Sequence, residues 1–195
     1  MATTRIGIIG DGNVGSALAR GLKRAGHDVR AVGKDRTAIR ETASWAEVVV
    51  LAVPFAAIDE VVKEVADVVE GKTLIDVTNA IGDNMSLAVG FTTSGAEELQ
   101  RKVPGARVVK AFNTVFAQHM DSGRLGDQPL TAFVAGDDAG ARTSALTLAR
   151  EIGFDAVDAG PLRNARLLEP LALLNIQLGY GLGMGPQIGF KLLHG

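Results

Sequence analysis

The sequence predicts an α/β protein, built as a doubly wound, mostly parallel sheet with a small C-terminal helical extension. Three observations carry that prediction. Runs with the character of buried strands alternate with runs at helical period along most of the 195 residues. The first of these strands leads straight into a glycine-rich turn and an amphipathic helix, with a second strand close behind. Apolar residues make up 47% of the chain, enough to give one domain a core of its own.

The first strand, Arg5 to Ile9, opens into Gly10-Asp11-Gly12-Asn13-Val14-Gly15 and a helix expected to run from Asn13 to Ala25. The three glycines have GxGxxG spacing, and each meets a different steric need. Gly10 permits the tight turn, Gly12 lets a pyrophosphate approach bare backbone, and Gly15 allows the helix to pack closely on the sheet. Unpaired N–H groups and the positive end of the helix then face the phosphates. Glycine turns are common in isolation. Between an apolar strand and a helix carrying Val14, Leu18 and Leu22 on one side, this one reads as a dinucleotide site. Its candidate contacts are Gly10, Asp11, Gly12, Asn13, Val14 and Gly15.

The second strand, Asp28 to Val32, ends at Gly33 and is followed by Lys34-Asp35-Arg36. NAD-selective sites place an acid at this strand tip for the ribose hydroxyls. Here the tip is glycine beside two cations, so Gly33, Lys34 and Arg36 are assigned to the 2′-phosphate of NADP. Asp35 stays open to a role as a displaced ribose acceptor. Residues 37–46 leave room for one short helix feeding directly into the strand Glu47 to Val53, so this half of the sheet is expected to be one strand smaller than the full pattern. Val53-Pro54-Phe55 lies at that strand's carboxyl end, where open parallel sheets bind ligands. Ile58, Val61, Val62, Val65 and Val69 then form one apolar stripe of a helix.

The strand Thr73 to Val77 ends at Thr78-Asn79-Ala80, and residues 82–93 read as a loop. Ser94 and Glu97 form a capping box for a helix to Arg101. The strand Arg107 to Phe112 ends in Asn113-Thr114. Asn79, Ala80, Asn113 and Thr114 are therefore candidates at the same carboxyl edge, with Asn79, Asn113 and Thr114 each also explicable as a local turn cap. A polar, exposed loop is expected at residues 121–129, then a strand Leu130 to Ala135. Asp137-Asp138 should cap a helix to Ile152, and Phe154 to Asp158 closes the strand series. A long apolar helix from Leu162 to Tyr180 is interrupted or kinked at Pro170, with Arg163, Arg166 and Glu169 on one face.

Composition excludes several chemistries. A net charge of −2 offers no basic surface for nucleic acid. The absence of cysteine removes disulfides, thiolate metal sites and a thiol nucleophile. His27, His119 and His194 show no ligand spacing, so no metal is expected. No apolar run approaches the ~20 residues of a membrane span, and the first strand leaves no room for a signal peptide. The expectation is a soluble, cytoplasmic protein.

The glycine turn, Val53-Pro54-Phe55 and residues 110–116 are joined by a C-terminal run. It comprises Asp158-Ala159-Gly160-Pro161-Leu162, Asn164-Ala165-Arg166-Leu167-Leu168-Glu169, and Gly183-Met184-Gly185 through Gly189-Phe190-Lys191-Leu192. With these in view the chain resembles the NADP oxidoreductases that use the deazaflavin coenzyme F420. The resemblance implies a Rossmann domain over residues 1–160 and a helical segment over 161–195 that completes the substrate pocket and a homodimer interface. It implies NADP(H) across the glycine turn, with coenzyme F420 or a flavin as co-substrate packed over the nicotinamide. Gly183, Met184 and Gly185 would then wall the acceptor beside Asn113 and Thr114. The chain departs from the archaeal pattern in two places. The insertion after the second strand is reduced to residues 37–46, and Lys34-Asp35-Arg36 replaces a serine–arginine pair.

Hydride transfer between two stacked rings needs orientation rather than a nucleophile, so no catalytic residue is named. Two alternatives remain open: a reductase of another acceptor (flavin, ferric iron, imine or small carbonyl compound), or an NADP(H)-sensing module without turnover. Reduction of an imine or carbonyl would call for a proton donor, for which Tyr180, Lys110 and Lys191 are the candidates.

Overall fold

A computed structural model describes residues 3–82 and 85–193. Nine strands and six α-helices alternate among the described residues. They are β1 (Arg5–Ile9), α1 (Asn13–Arg24), β2 (Asp28–Val32), α2 (Arg36–Trp45), β3 (Val48–Leu51), α3 (Ile58–Val65), β4 (Thr73–Asp76), α4 (Gly95–Lys102), β5 (Arg107–Ala111), β6 (Arg124–Leu125), β7 (Gln128–Pro129), β8 (Thr131–Gly136), α5 (Ala139–Ile152), β9 (Asp155–Asp158) and α6 (Ala165–Ile176). Seven strands form one sheet in the order β2-β1-β3-β4-β5-β8-β9. All neighbours are parallel except β5 and β8. The order reverses between β1 and β3, which is the switch point where such sheets bind ligands. Only β2 lies beyond β1, so this half of the sheet is one strand short, as the brief α2 connection predicts.

Successive residues of each strand point to opposite faces. Ile6, Ile8, Val48, Val50 and Ile75 meet Leu18 and Leu22 of α1 and Leu148 and Ile152 of α5. Ile9, Val49, Leu51, Leu74 and Val108 meet Ile39 of α2, Val61 of α3 and Leu99 of α4. Gly7 lets α2 approach β1 closely: a Cβ there would lie 2.9 Å from Thr42 Cγ2.

Several details differ from the sequence reading. The apolar stripe of α3 ends at Val65; Val69 is buried beyond the helix, after a turn. Residues 121–129 include the β6–β7 hairpin, which carries the chain back to enter β8 antiparallel to β5. Pro170 lies inside α6 without ending it, and the helix is preceded by a 3₁₀ turn at Leu162–Asn164 and followed by a π-turn at Gln177–Gly181. The face expected to be shared by Arg163, Arg166 and Glu169 does not form. Arg163 is exposed, Arg166 pairs with Glu97, and Glu169 turns inward. His27 and His119 are buried structural residues: His27 Nε2 lies 2.9 Å from Glu151 Oε2, and His119 Nε2 lies 3.0 Å from the Pro186 carbonyl. His194 lies outside the described residues. Among the described residues, no helix is long and apolar enough to cross a membrane.

Candidate functional site

The glycine turn sits at the switch point and is held by contacts no side chain could share. Gly10 has φ 111°, and a Cβ on it would lie 2.2 Å from the Ala52 carbonyl oxygen at the end of β3. A Cβ on Gly15 would lie 1.8 Å from the Gly10 oxygen. Gly12 differs: a Cβ there would meet nothing within 4 Å. Its lack of a side chain serves no packing need of the protein itself and leaves the start of α1 open to a ligand. No side chain caps that helix, and Ser16 Oγ instead donates to the Asp11 carbonyl at 2.7 Å. The residues present therefore fit a dinucleotide's diphosphate.

On one side of the turn, Gly33, Lys34, Arg36, Val53 and Pro54 line a cavity of about 280 Å³ with Ile39, Glu60 and Glu64. Arg36 does not stand free there. Its guanidinium lies 3.1 Å from Glu60 Oε2 and 3.7 Å from Glu64 Oε1. Asp35 is accounted for locally: its Oδ1 accepts from Ala38 N at 2.8 Å and caps α2. Phe55 faces the other way, toward the start of α4, where a Cβ on Gly95 would lie 2.9 Å from its ring.

On the other side, Asn13, Val14, Asn79, Asn113 and Thr114 line a second cavity, of about 440 Å³. Its remaining wall includes Phe116 and residues of the C-terminal segment, Ala172, Asn175, Ile176 and Tyr180. The two asparagines orient each other: Asn79 Nδ2 donates to the Asn113 carbonyl, and Asn113 Nδ2 donates to Asn79 Oδ1 and to the Leu168 carbonyl, each at 3.0 Å. Asn175 Nδ2 donates to the Thr114 carbonyl at 3.1 Å. Asn113 is buried, yet its Oδ1 accepts no hydrogen bond among the described residues. A buried acceptor left so is costly unless a ligand supplies the donor. Phe112, just before it, has φ 64°, a conformation in which a bulky side chain is strained.

Not every expected residue gathers here. Ala80 is fully buried and lines neither cavity. Gly183, Met184 and Gly185 do not line the second cavity. They fold back beyond the π-turn, with Gly185 N donating to the Gly179 carbonyl at 2.8 Å. Tyr180 takes the wall position, its ring 5.3 Å from that of Phe116 in an edge-on arrangement.

Beneath the second cavity lies a group that the sequence reading missed. Lys110 on β5 is fully buried, with Nζ 2.8 Å from Asp76 Oδ2, 2.9 Å from Glu169 Oε1 and 2.7 Å from the Thr78 carbonyl. Burial disfavours its charge, but the two carboxylates outweigh that and hold its pKa above the ordinary 10.5. Glu169 also accepts from Gly95 N and Ala96 N at 2.9 and 3.2 Å, closing the start of α4 from a residue on α6. Lys110 is thus locked in its charged form away from either cavity and serves as no proton donor. Lys191, exposed, reaches the Pro129 carbonyl at 3.4 Å. The strand periodicity around Lys110 is apolar, and nothing local signals partners 34 and 59 residues away.

Comparison with known proteins is consistent with this geometry. Residues 5–80 match the family model described as NADP oxidoreductase, coenzyme F420-dependent. The F420-dependent NADP reductase of Methanothermobacter thermautotrophicus is 31% identical over 181 residues, covering 85% of this chain and 77% of that protein. Metalloreductase STEAP3 of Rattus norvegicus is 32% identical over 186 residues, covering 87% of this chain. The chain spans only 37% of that metalloreductase and 65% of the F420-dependent NADP reductase of Methanothermobacter marburgensis. The crystal structure of a protein from Arthrobacter sp. FB24 superposes with a TM-score of 0.89 at 28% identity. The match covers 98% of this chain and all of that one.

Proposed function

We propose that this chain, a member of the coenzyme F420-dependent NADP oxidoreductase family, is an NADP-dependent oxidoreductase that transfers a hydride directly between NADP(H) and a deazaflavin acceptor of the F420 type. The observation that carries this reading is the placement of the two cavities on either side of the glycine turn. The span suits a dinucleotide with its adenosine against Gly33, Lys34 and Arg36, its diphosphate over Gly12, and its nicotinamide beside Asn79, Asn113 and Thr114. When bound, NADPH supplies the hydride. Asn113 Oδ1, without a donor among the described residues, would accept from the nicotinamide carboxamide and fix the plane of the ring. Phe116 and Tyr180 offer aromatic faces to a second flat ring system, and residues 161–195 complete the pocket. No proton-donating side chain is required of the protein.

A reductase of flavin or ferric iron is the second reading, favoured by the similarity to metalloreductases. Steady-state NADPH oxidation with the purified chain separates the two. Turnover that depends on coenzyme F420 supports the first, and turnover only with FMN, FAD or ferric complexes supports the second. Tight binding without turnover on any acceptor would leave only a sensing role.

We also propose a homodimer, in the cytoplasm. Leu167 and Leu174 on the outer face of α6 are 68% and 47% exposed, with the partly exposed Leu171 between them and Leu178 one turn further on. A second copy of this stripe would cover it. Light scattering should give twice the chain mass, and Leu174→Glu should return it to the monomer.

A further inference from the structure

We propose that Asp11 reads the adenosine ribose, so that the site accepts NADH as well as NADPH; the proposal rests on the reading that the cofactor lies across the glycine turn. In NAD-selective sheets of this kind, the acid that binds the ribose hydroxyls is rooted at the tip of the second strand. Here that tip is Gly33, and its missing side chain leaves a space filled by another residue's carboxylate. A Cβ built on Gly33 would lie 2.8 Å from Asp11 Oδ2 and 3.1 Å from Asp11 Oδ1. The carboxylate therefore stands at the expected position but enters from the turn instead of the strand.

Its backbone is held firmly. Gly10 N donates to the Val32 carbonyl at 2.8 Å, tying the turn to the end of β2, and Ser16 Oγ binds the Asp11 carbonyl. Among the described residues, the Asp11 carboxylate pairs with no cation, and the residue is exposed. It is free to accept from a ribose hydroxyl.

The charges around it argue the same way. A 2′-phosphate entering this pocket meets Lys34 and Arg36, but Arg36 is already engaged by Glu60 and Glu64. Asp11 adds a third carboxylate against the two cations. A doubly charged phosphate must pull Arg36 away from its partners and sit beside Asp11, whereas a 2′-hydroxyl needs only an acceptor. The cations give NADPH its hold, and Asp11 gives NADH a comparable one.

The test is equilibrium titration of NADPH and of NADH into the full chain and into Asp11→Ala and Glu60→Gln, with melting curves of the unliganded proteins to confirm folding. The unaltered chain should bind NADH within about tenfold of NADPH. Asp11→Ala should weaken NADH by about tenfold while leaving NADPH no weaker. Glu60→Gln, by releasing Arg36, should tighten NADPH about threefold and leave NADH unchanged. NADH binding more than about a hundredfold weaker than NADPH in the unaltered chain, or parallel weakening of both cofactors in Asp11→Ala, would overturn the proposal while the NADP(H) reading stands. Binding of neither cofactor to the unaltered chain would overturn both.

Discussion

The two sides of the sheet's carboxyl edge are built by different means. Around β1 and β2 the site is made by neighbours in sequence: Gly10, Gly12 and Gly15 lie within six residues, and their contacts are backbone to backbone. Around β4 and β5 it is made by residues far apart. Asp76, Lys110 and Glu169 come from two strands and α6, and Asn113 is fixed by Asn79 and by Leu168. The first side is a steric solution that few residue types can satisfy. The second is an electrostatic solution, in which buried charge is tolerated only because each group is paired. One consequence is that the C-terminal segment is tied to the sheet by charge at the place where it borders the second cavity.

Removing a member of that buried group should have the largest effect. Glu169→Ala strips Lys110 of one of its two carboxylates and leaves Gly95 N and Ala96 N unpaired, so chemical denaturation should show a loss of about 3–5 kcal/mol. The pH dependence follows from the sign of the shift. The Lys110 pKa is raised on folding, so its contribution is fully present below its unfolded value, near 10.5, and is lost as pH rises through the folded one. Unfolding measured from pH 7 upward should therefore show this stabilisation intact to about pH 10 and declining beyond. Lys110→Met should lack that decline.

Asn113→Ala should slow hydride transfer by about tenfold or more while changing NADPH affinity by less than about threefold. Single-turnover and binding measurements give the two numbers, and the reverse pattern would remove Asn113 from the role of orienting the ring. The smallest effect is expected at the rim. Arg166 lies 2.7 Å from Glu97, and its hydrogen bond, together with one from Ser94, holds the Glu97 carboxyl below the ordinary 4.5. That contribution is present above pH 4.5 and is lost as pH falls through the folded value. Arg166→Ala should lower the melting temperature by no more than about 3 °C at pH 7, and by less at pH 3.

The contrast between the two sides also explains what could be read from the sequence. The strand series, the one-strand-short half of the sheet and the N-caps at Ser94 and Asp138 follow from local pattern, and the structure places them as expected. At α4 the capping box is only half made: Ser94 Oγ caps Glu97 N, but the Glu97 carboxylate is held by Arg166, and Glu169 closes the helix start. That substitution depends on Glu169 of α6, 74 residues beyond Gly95. Lys110 likewise reads as one charge in an apolar strand until the fold brings its partners to it. Gly183, Met184 and Gly185, expected to form part of the acceptor wall, lie beyond the π-turn at Gln177–Gly181 and do not line the second cavity, whereas Tyr180 does. A π-turn after a proline-containing helix has no periodic signature by which to find it.

The most direct test of the account compares Gly12→Ala with the unaltered chain by calorimetric titration of NADPH. A Cβ at this position touches nothing in the protein, so the melting temperature should be unchanged, while NADPH affinity should fall by more than about tenfold because the diphosphate can no longer approach the backbone. Equal affinity in the two proteins, or no NADPH bound by the unaltered chain, would contradict it.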